Sequence, residues 1–212
     1  MLNSLVSEIE KEKIIVIIRD VEREKLLPLV CALYDGGIRF IELPFSQNED
    51  YINYENIKFI KENFGDKLHV GSGTVLTKEQ VVLTKKAGGE FVISPDTYCK
   101  VIKKTKKLNM LSIPGAFSST EIANAIRQNA DIVKIFPASK LGADYIKSIR
   151  VPLKNAKLLV AGGITLDNIL DYKNAGACAF GISSGIVNKE MLENNDYNGI
   201  RELAKKYVDM VK

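Results

Sequence analysis

The chain is 212 residues long, with 46% hydrophobic and 26% charged residues and a formal net charge of +4. That length suits one domain of α/β barrel size with a full core, and the composition excludes a disordered chain. The basic excess is spread through helical segments such as "KKTKK" rather than gathered in an arginine-rich tail, which gives nucleic-acid binding no support and leaves only a mild field favouring anionic substrates.

The opening "MLNSLVSEIEKEK" is charged and helical, with no apolar leader core, and no run of about 18 apolar residues occurs anywhere. The expectation is a soluble, cytoplasmic protein without membrane association. Cys31, Cys99 and Cys178 are odd in number and widely spaced, as reduced thiols are, and form neither a disulfide framework nor a metal knuckle. Strands are predicted at "KIIVII" (13–18), "IRFIEL" (38–43), "LHVG" (68–71), "FVIS" (91–94), "MLSI" (110–113), "DIVKIF" (131–136), "KLLVA" (157–161) and "CAFGI" (178–182). Helical segments follow them at 22–35, 50–63, 77–87, 96–107, 119–128, 142–150, 166–175 and 194–211.

Eight strands, each followed by a helix, make the (β/α)8 TIM barrel pattern, here over a single domain, 1–212. An open doubly wound sheet is the main competitor, but the first turn, "RDVERE", lacks its glycine fingerprint. The N-terminal helix is then an extra element placed to close the barrel bottom. Function belongs at the strand C-terminal ends, which carry Arg19, Glu42, Thr74, Pro95, Lys134, Gly162, Gly163 and Ser184.

Lys134 raises the sharpest question, because it lies inside the apolar run "DIVKIFP" with Phe136 on its own side of the strand. A buried ammonium without a partner is costly, and the usual response is a lowered pKa. A neutral lysine is a nucleophile able to form an imine with a carbonyl, and the protonated imine is an electron sink for carbon–carbon cleavage. The competing reading is an ion pair with Glu42 that only neutralises both. Glu42, within "IRFIELPF", repeats the puzzle: desolvation suits it to shuttle a proton. Arg19 closes "IIVIIRD" and is placed to grip a carboxylate, with rim pairing to Asp20 or Glu22 as the plainer reading.

After the seventh and eighth strands, "VAGGITLDN" and "FGISSGIV" carry Gly162, Gly163 and Ser184, the pair of loops in which barrels commonly hold phosphate on backbone amides and a helix N-terminus. Thr74 in "GSGTV" is a candidate donor to a substrate oxygen, and Pro95 and Phe136 complete the candidate substrate-binding set. His69 is alone, without zinc-ligand spacing, and reads as a core or rim residue.

Taken in order, "IIVIIR", "GGIRFIEL", "GSGTVLT", "FVISP", "IPGAFSSTE", "VKIFPAS", "AGGITLDN" and "GISSG" resemble the family of 2-keto-3-deoxy-6-phosphogluconate and 4-hydroxy-2-oxoglutarate aldolases over almost the whole chain. The resemblance implies a class I lyase on a (β/α)8 barrel, a homotrimer needing no metal or cofactor, acting on a phosphorylated 2-keto-3-deoxy sugar acid and releasing pyruvate. It puts Lys134 at the Schiff-base position, Glu42 at the general acid/base, Arg19 near the pyruvyl carboxylate, Thr74 in the pyruvate pocket, and Gly162, Gly163 and Ser184 at the phosphate turns. Ser46 stands where many members carry arginine. Ala161 stands where gluconate-type enzymes often have threonine and galactonate-type enzymes valine, so configuration at C4 stays open. The alternative is a phospho-ligand barrel or barrel isomerase in which Lys134 is only a charge.

Overall fold

The structure, a computed structural model, describes residues 2–46 and 50–212. Helix α1, Leu2–Glu12, leads into β1, Ile14–Ile17, and α2, Arg23–Asp35. Strand and helix then alternate as β2, Phe40–Pro44, α3, Asp50–Phe64, β3, His69–Gly73, α4, Lys78–Lys86, β4, Phe91–Ile93, and α5, Cys99–Lys107. The second half holds β5, Leu111–Ile113, β6, Gly115–Ala116, α6, Ser119–Arg127, β7, Val133–Ile135, and α7, Ala143–Arg150. It ends with β8, Leu158–Ala161, α8, Ile169–Asn174, β9, Ala179–Ile182, α9, Lys189–Glu193, and α10, Tyr197–Val211. No helix among the described residues is long and apolar enough to cross a membrane.

The strand order is β5-β4-β3-β2-β1-β9-β8-β7-β6, with all pairs parallel. Its two ends are halves of one run split at Pro114, which has no N–H to donate. β5 pairs with β4, β6 pairs with β7, and the Pro114 carbonyl still accepts from the Lys134 amide at 2.8 Å. The sheet therefore closes as the eight-stranded barrel that the alternation predicts.

Several boundaries differ from the sequence reading, each for a local reason. The sixth strand is only Val133–Ile135, because the Asp131 carboxylate is occupied by the Ser112 amide (2.8 Å) and Lys106. The fourth helix begins at Cys99 rather than 96, since the Asp96 carbonyl accepts from the Ser94 hydroxyl (3.2 Å) and the Gly115 amide (3.1 Å). The segment read as one helix over 194–211 follows a separate short α9; the Asp196 side chain caps α10 by accepting from the Gly199 amide at 2.8 Å. Elsewhere the signals match: capping boxes at Thr77/Gln80 and Ser118/Glu121 start α4 and α6.

The core has two layers. Between sheet and helices lies the larger apolar layer, to which α10 contributes Ile200, Ala204, Tyr207, Val208 and Val211 at helical spacing. Inside the barrel, Ile15, Phe40, Phe91, Leu111, Ile132 and Leu159 pack with Leu5, Val6 and Ile9 of α1. Each such burial contributes ~1.5–3 kcal/mol. Helix α1 thus plugs the N-terminal mouth, as expected, and leaves the opposite mouth for chemistry.

His69 is a rim residue on that plugged side. Its ring stacks on Phe40 (centroids 4.6 Å apart), Nδ1 lies 3.0 Å from Glu90 and Nε2 lies 3.2 Å from Glu8 of α1. Burial alone favours the neutral ring, but the Glu90 hydrogen bond and the charges of Glu90 and Glu8 outweigh it and hold the imidazole above its ordinary value. A raised folded-state value stabilises below the unfolded reference of 6.5 and is lost as pH rises through the folded value. Thermal melts should therefore show His69→Gln losing more against wild type below pH 6.5 than at alkaline pH.

Candidate active site

Alternate residues of each barrel strand face the lumen. Two positions beyond the apolar layer of Ile15, Phe40, Ile132 and Leu159 come Ile17, Glu42, Lys134 and Ala161, one layer nearer the C-terminal mouth. Register aligns Glu42 with Ile17 and Gly71, and Lys134 with Gly115 and Leu159. Glu42 is 2% exposed and Lys134 8%. A cavity of about 660 Å³ opens above them, a size ordinary for small-molecule sites. All nine residues singled out from the sequence line it: Arg19, Glu42, Thr74, Pro95, Lys134, Phe136, Gly162, Gly163 and Ser184.

Burial pushes the Glu42 carboxyl up, against the lowering pull of Lys134 and Arg19. Burial also pushes the Lys134 ammonium down; Glu42 opposes that and Arg19 adds to it. Both directions favour the uncharged form of each group. Glu42 Oε2 is buried with no hydrogen-bond partner among the described residues. The Phe136 ring, 41% exposed at the mouth, has its centroid 4.7 Å from Lys134 Nζ and walls one side of the amine. Arg19 is exposed at the rim, while Glu22, one of its two candidate partners, reaches Lys25 at 4.0 Å.

Gly73 sets the seat of the acid. A Cβ there would overlap Oε1 and Cδ of Glu42, so the carboxyl lies directly on the glycine backbone. Next to it Thr74 has φ +53°, a conformation costing a β-branched residue ~1–3 kcal/mol and characteristic of functional sites.

On the other side of the mouth, Gly162 and Gly163 have φ +88° and +79°, and a Cβ on Gly163 would come within 2.5 Å of Ser139. The Ser139 amide donates to Gly162 O (3.0 Å), Asn168 Nδ2 donates to Gly163 O (2.9 Å), and Asn168 Oδ1 accepts from the Thr165 amide (2.9 Å). That turn delays α8 to Ile169 instead of 166. After β9 the Ser183 carbonyl accepts from Ile186 (3.0 Å) and Val187 (2.8 Å), a single helical turn, whereas α9 begins only at Lys189. The expected helix N-terminus is thus replaced by a turn.

Among the further lining residues, Ile17, Ile164, Thr165, Gly181 and Ile182 were not singled out from the sequence. Gly181 had a usable signal, a glycine inside the strand run "AFGI", where a Cβ would come 3.0 Å from Ala161 Cβ. Ile17 was reachable by stepping back two positions from Arg19.

Gly73→Ala should leave the fold intact by circular dichroism yet lower turnover about a hundredfold, the scale of an ångström-sized displacement of a reacting group, with little change in KM.

A family model described as KDPG and KHG aldolase matches residues 5–203. The 2-dehydro-3-deoxy-phosphogluconate aldolase of Haemophilus influenzae is 31% identical over 212 residues, covering 98% of this chain and 97% of that protein. The 2-dehydro-3-deoxy-6-phosphogalactonate aldolase of Escherichia coli is 30% identical over 177 residues, with 83% and 85% covered. Among solved structures, the KDPG aldolase of Legionella pneumophila, with pyruvate captured at low pH as a covalent carbinolamine, superposes with a TM-score of 0.84 at 26% identity over 94% of this chain and 96% of that one. Built on the (β/α)8 barrel and matched over nearly its full length, the chain belongs to the KDPG and KHG aldolase family and is a carbon–carbon lyase, a class I aldolase.

Proposed function

We propose that this protein cleaves 2-keto-3-deoxy-6-phosphogluconate to pyruvate and glyceraldehyde 3-phosphate through an imine on Lys134. The observation that carries the reading is the shared burial of Lys134 and Glu42 in one lumen layer beneath one cavity, with a carboxyl oxygen left unpartnered. The Legionella relative's covalent carbinolamine with pyruvate supports an amine nucleophile in this family.

In this reading the Lys134 amine attacks the C2 carbonyl, and the protonated Glu42 gives its proton to the departing hydroxide as the carbinolamine loses water. The Glu42 carboxylate left behind takes the proton from the C4 hydroxyl. The C3–C4 electron pair moves to form the enamine and neutralises the iminium nitrogen, and glyceraldehyde 3-phosphate leaves. Protonation of the enamine at C3 and hydrolysis return pyruvate, the amine and the acid. Arg19 and Thr74 hold the pyruvyl carboxylate, Pro95 and Phe136 wall the pocket, and Gly162, Gly163 and Ser184 hold the phosphate.

A second reading, cleavage of the C4 epimer 2-keto-3-deoxy-6-phosphogalactonate, is favoured by one observation. The small Ala161 lines the cavity, where a bulkier residue would press on the sugar chain. Turnover of both epimers is expected in paired assays; strict selectivity would rule out the relaxed choice. Cleavage of 4-hydroxy-2-oxoglutarate to pyruvate and glyoxylate is expected as a weaker activity, since that substrate brings no phosphate. A cytoplasmic homotrimer is the expected assembly, to be checked by sedimentation.

Borohydride reduction with pyruvate should leave a covalent adduct on Lys134, located by peptide mapping, and Lys134→Ala should abolish both adduct and turnover. Near-normal turnover by folded Lys134→Ala would sink the mechanism. Arg19 is one of the charges that push the Lys134 ammonium down. Arg19→Met should therefore move the pH midpoint of adduct formation, at saturating pyruvate, to higher pH.

A further inference from the structure

The two glycine turns at the phosphate end meet behind the cavity, at a single side chain on α10. Tyr207 is 2% exposed, and its ring is packed in the apolar layer together with Ile164, Ile182 and Ile186, residues of the very turns in question. A Cβ built on Gly185 would come 2.6 Å from the Tyr207 hydroxyl and 3.3 Å from the Ile164 carbonyl oxygen. Gly185 thus packs against both the hydroxyl and the backbone of the other turn. Phenylalanine would fill the same apolar space without placing an oxygen against Gly185, so the hydroxyl is the feature that packing of the ring alone does not require.

We propose that Tyr207 is a positioning residue for the phosphate end of the substrate, its hydroxyl setting the separation of the 162–166 and 183–187 turns and thereby the preference for phosphorylated over unphosphorylated substrates. The inference rests on the reading above that these turns bind phosphate. It adds that their spacing is held from the core side by a helix that does not line the cavity. A fixed separation matters because several donors must reach one phosphate together, and a turn free to shift loses that convergence.

The test is Tyr207→Phe in the full chain, assayed with 2-keto-3-deoxy-6-phosphogluconate, with unphosphorylated 4-hydroxy-2-oxoglutarate and in competition with inorganic phosphate. The expected result is a KM for the phosphorylated substrate raised roughly three- to tenfold, about 1 kcal/mol of binding, and a matching weakening of phosphate competition. Cleavage of 4-hydroxy-2-oxoglutarate and borohydride trapping with pyruvate should stay unchanged. Equal losses on both substrates would mean a purely structural role and overturn the proposal, as would an unchanged KM for the phosphorylated substrate. A second variant guards against poor folding. Gly185→Ala should weaken phosphate competition by forcing a methyl against the hydroxyl, and adding Tyr207→Phe should restore part of it; no restoration counts against the proposal. If wild type is not inhibited by inorganic phosphate and shows no preference for the phosphorylated substrate, the phosphate reading itself fails and takes the inference with it. A wild-type preference that survives Tyr207→Phe removes only the inference.

Discussion

The constraint on which the rest depends is the burial of an amine and a carboxyl in the same lumen layer. Neither Glu42 nor Lys134 is exposed enough to be solvated as an ion, and one carboxyl oxygen has no partner among the described residues. A site of this kind is costly to hold in the folded state. Burial drives the acid up and the amine down, both toward their uncharged forms. On the proposed mechanism, the arrangement that minimises buried charge is also the one that makes the amine nucleophilic.

Holding that arrangement requires a rigid floor and a close fit around the acid. The floor is the apolar lumen layer closed from below by α1, with the cavity on its other side. The fit comes from what is missing. At Gly73 the absent Cβ is the space in which the carboxyl lies, and at Gly71 the absent Cβ is occupied by the Phe91 ring. One barrel strand thus uses two glycines on its lumen face, one for packing and one for chemistry. Thr74, strained in the left-handed region, follows immediately and turns the chain across the mouth.

The opposite half of the mouth is built from backbone rather than side-chain charge. Gly162 and Gly163 adopt positive φ, and Asn168 and the Ser139 amide tie their carbonyls down. A turn with its carbonyls already occupied presents amides outward without rearrangement, which suits a phosphate. Arg19 stands exposed at the rim of the same cavity. On the proposed function, that division separates the carboxylate end of the substrate from its phosphate end and leaves the amine between them.

Much of this was legible in the sequence because it depends on local pattern. The alternation of short β-rich runs with helical segments specifies the barrel, since a parallel sheet needs a crossover after each strand. Lys134 and Glu42 stood out because an ionisable residue is rarely buried inside an apolar run unless it is paired or reactive. The ends of the elements were not legible: α10 starts where Asp196 caps it, and β7 is shortened because Asp131 bonds to Ser112, a partner distant in sequence. Only the tertiary structure decided that the Glu42 carboxyl rests on Gly73, that Gly181 faces Ala161, and that Tyr207 joins the two glycine turns. The sequence by itself determined which residue types sit on which strand and on which side, because strand periodicity is a property of neighbouring residues. What it left undecided is every contact between strands, since these depend on barrel register and on close approach through absent side chains, and neither is written in any single segment.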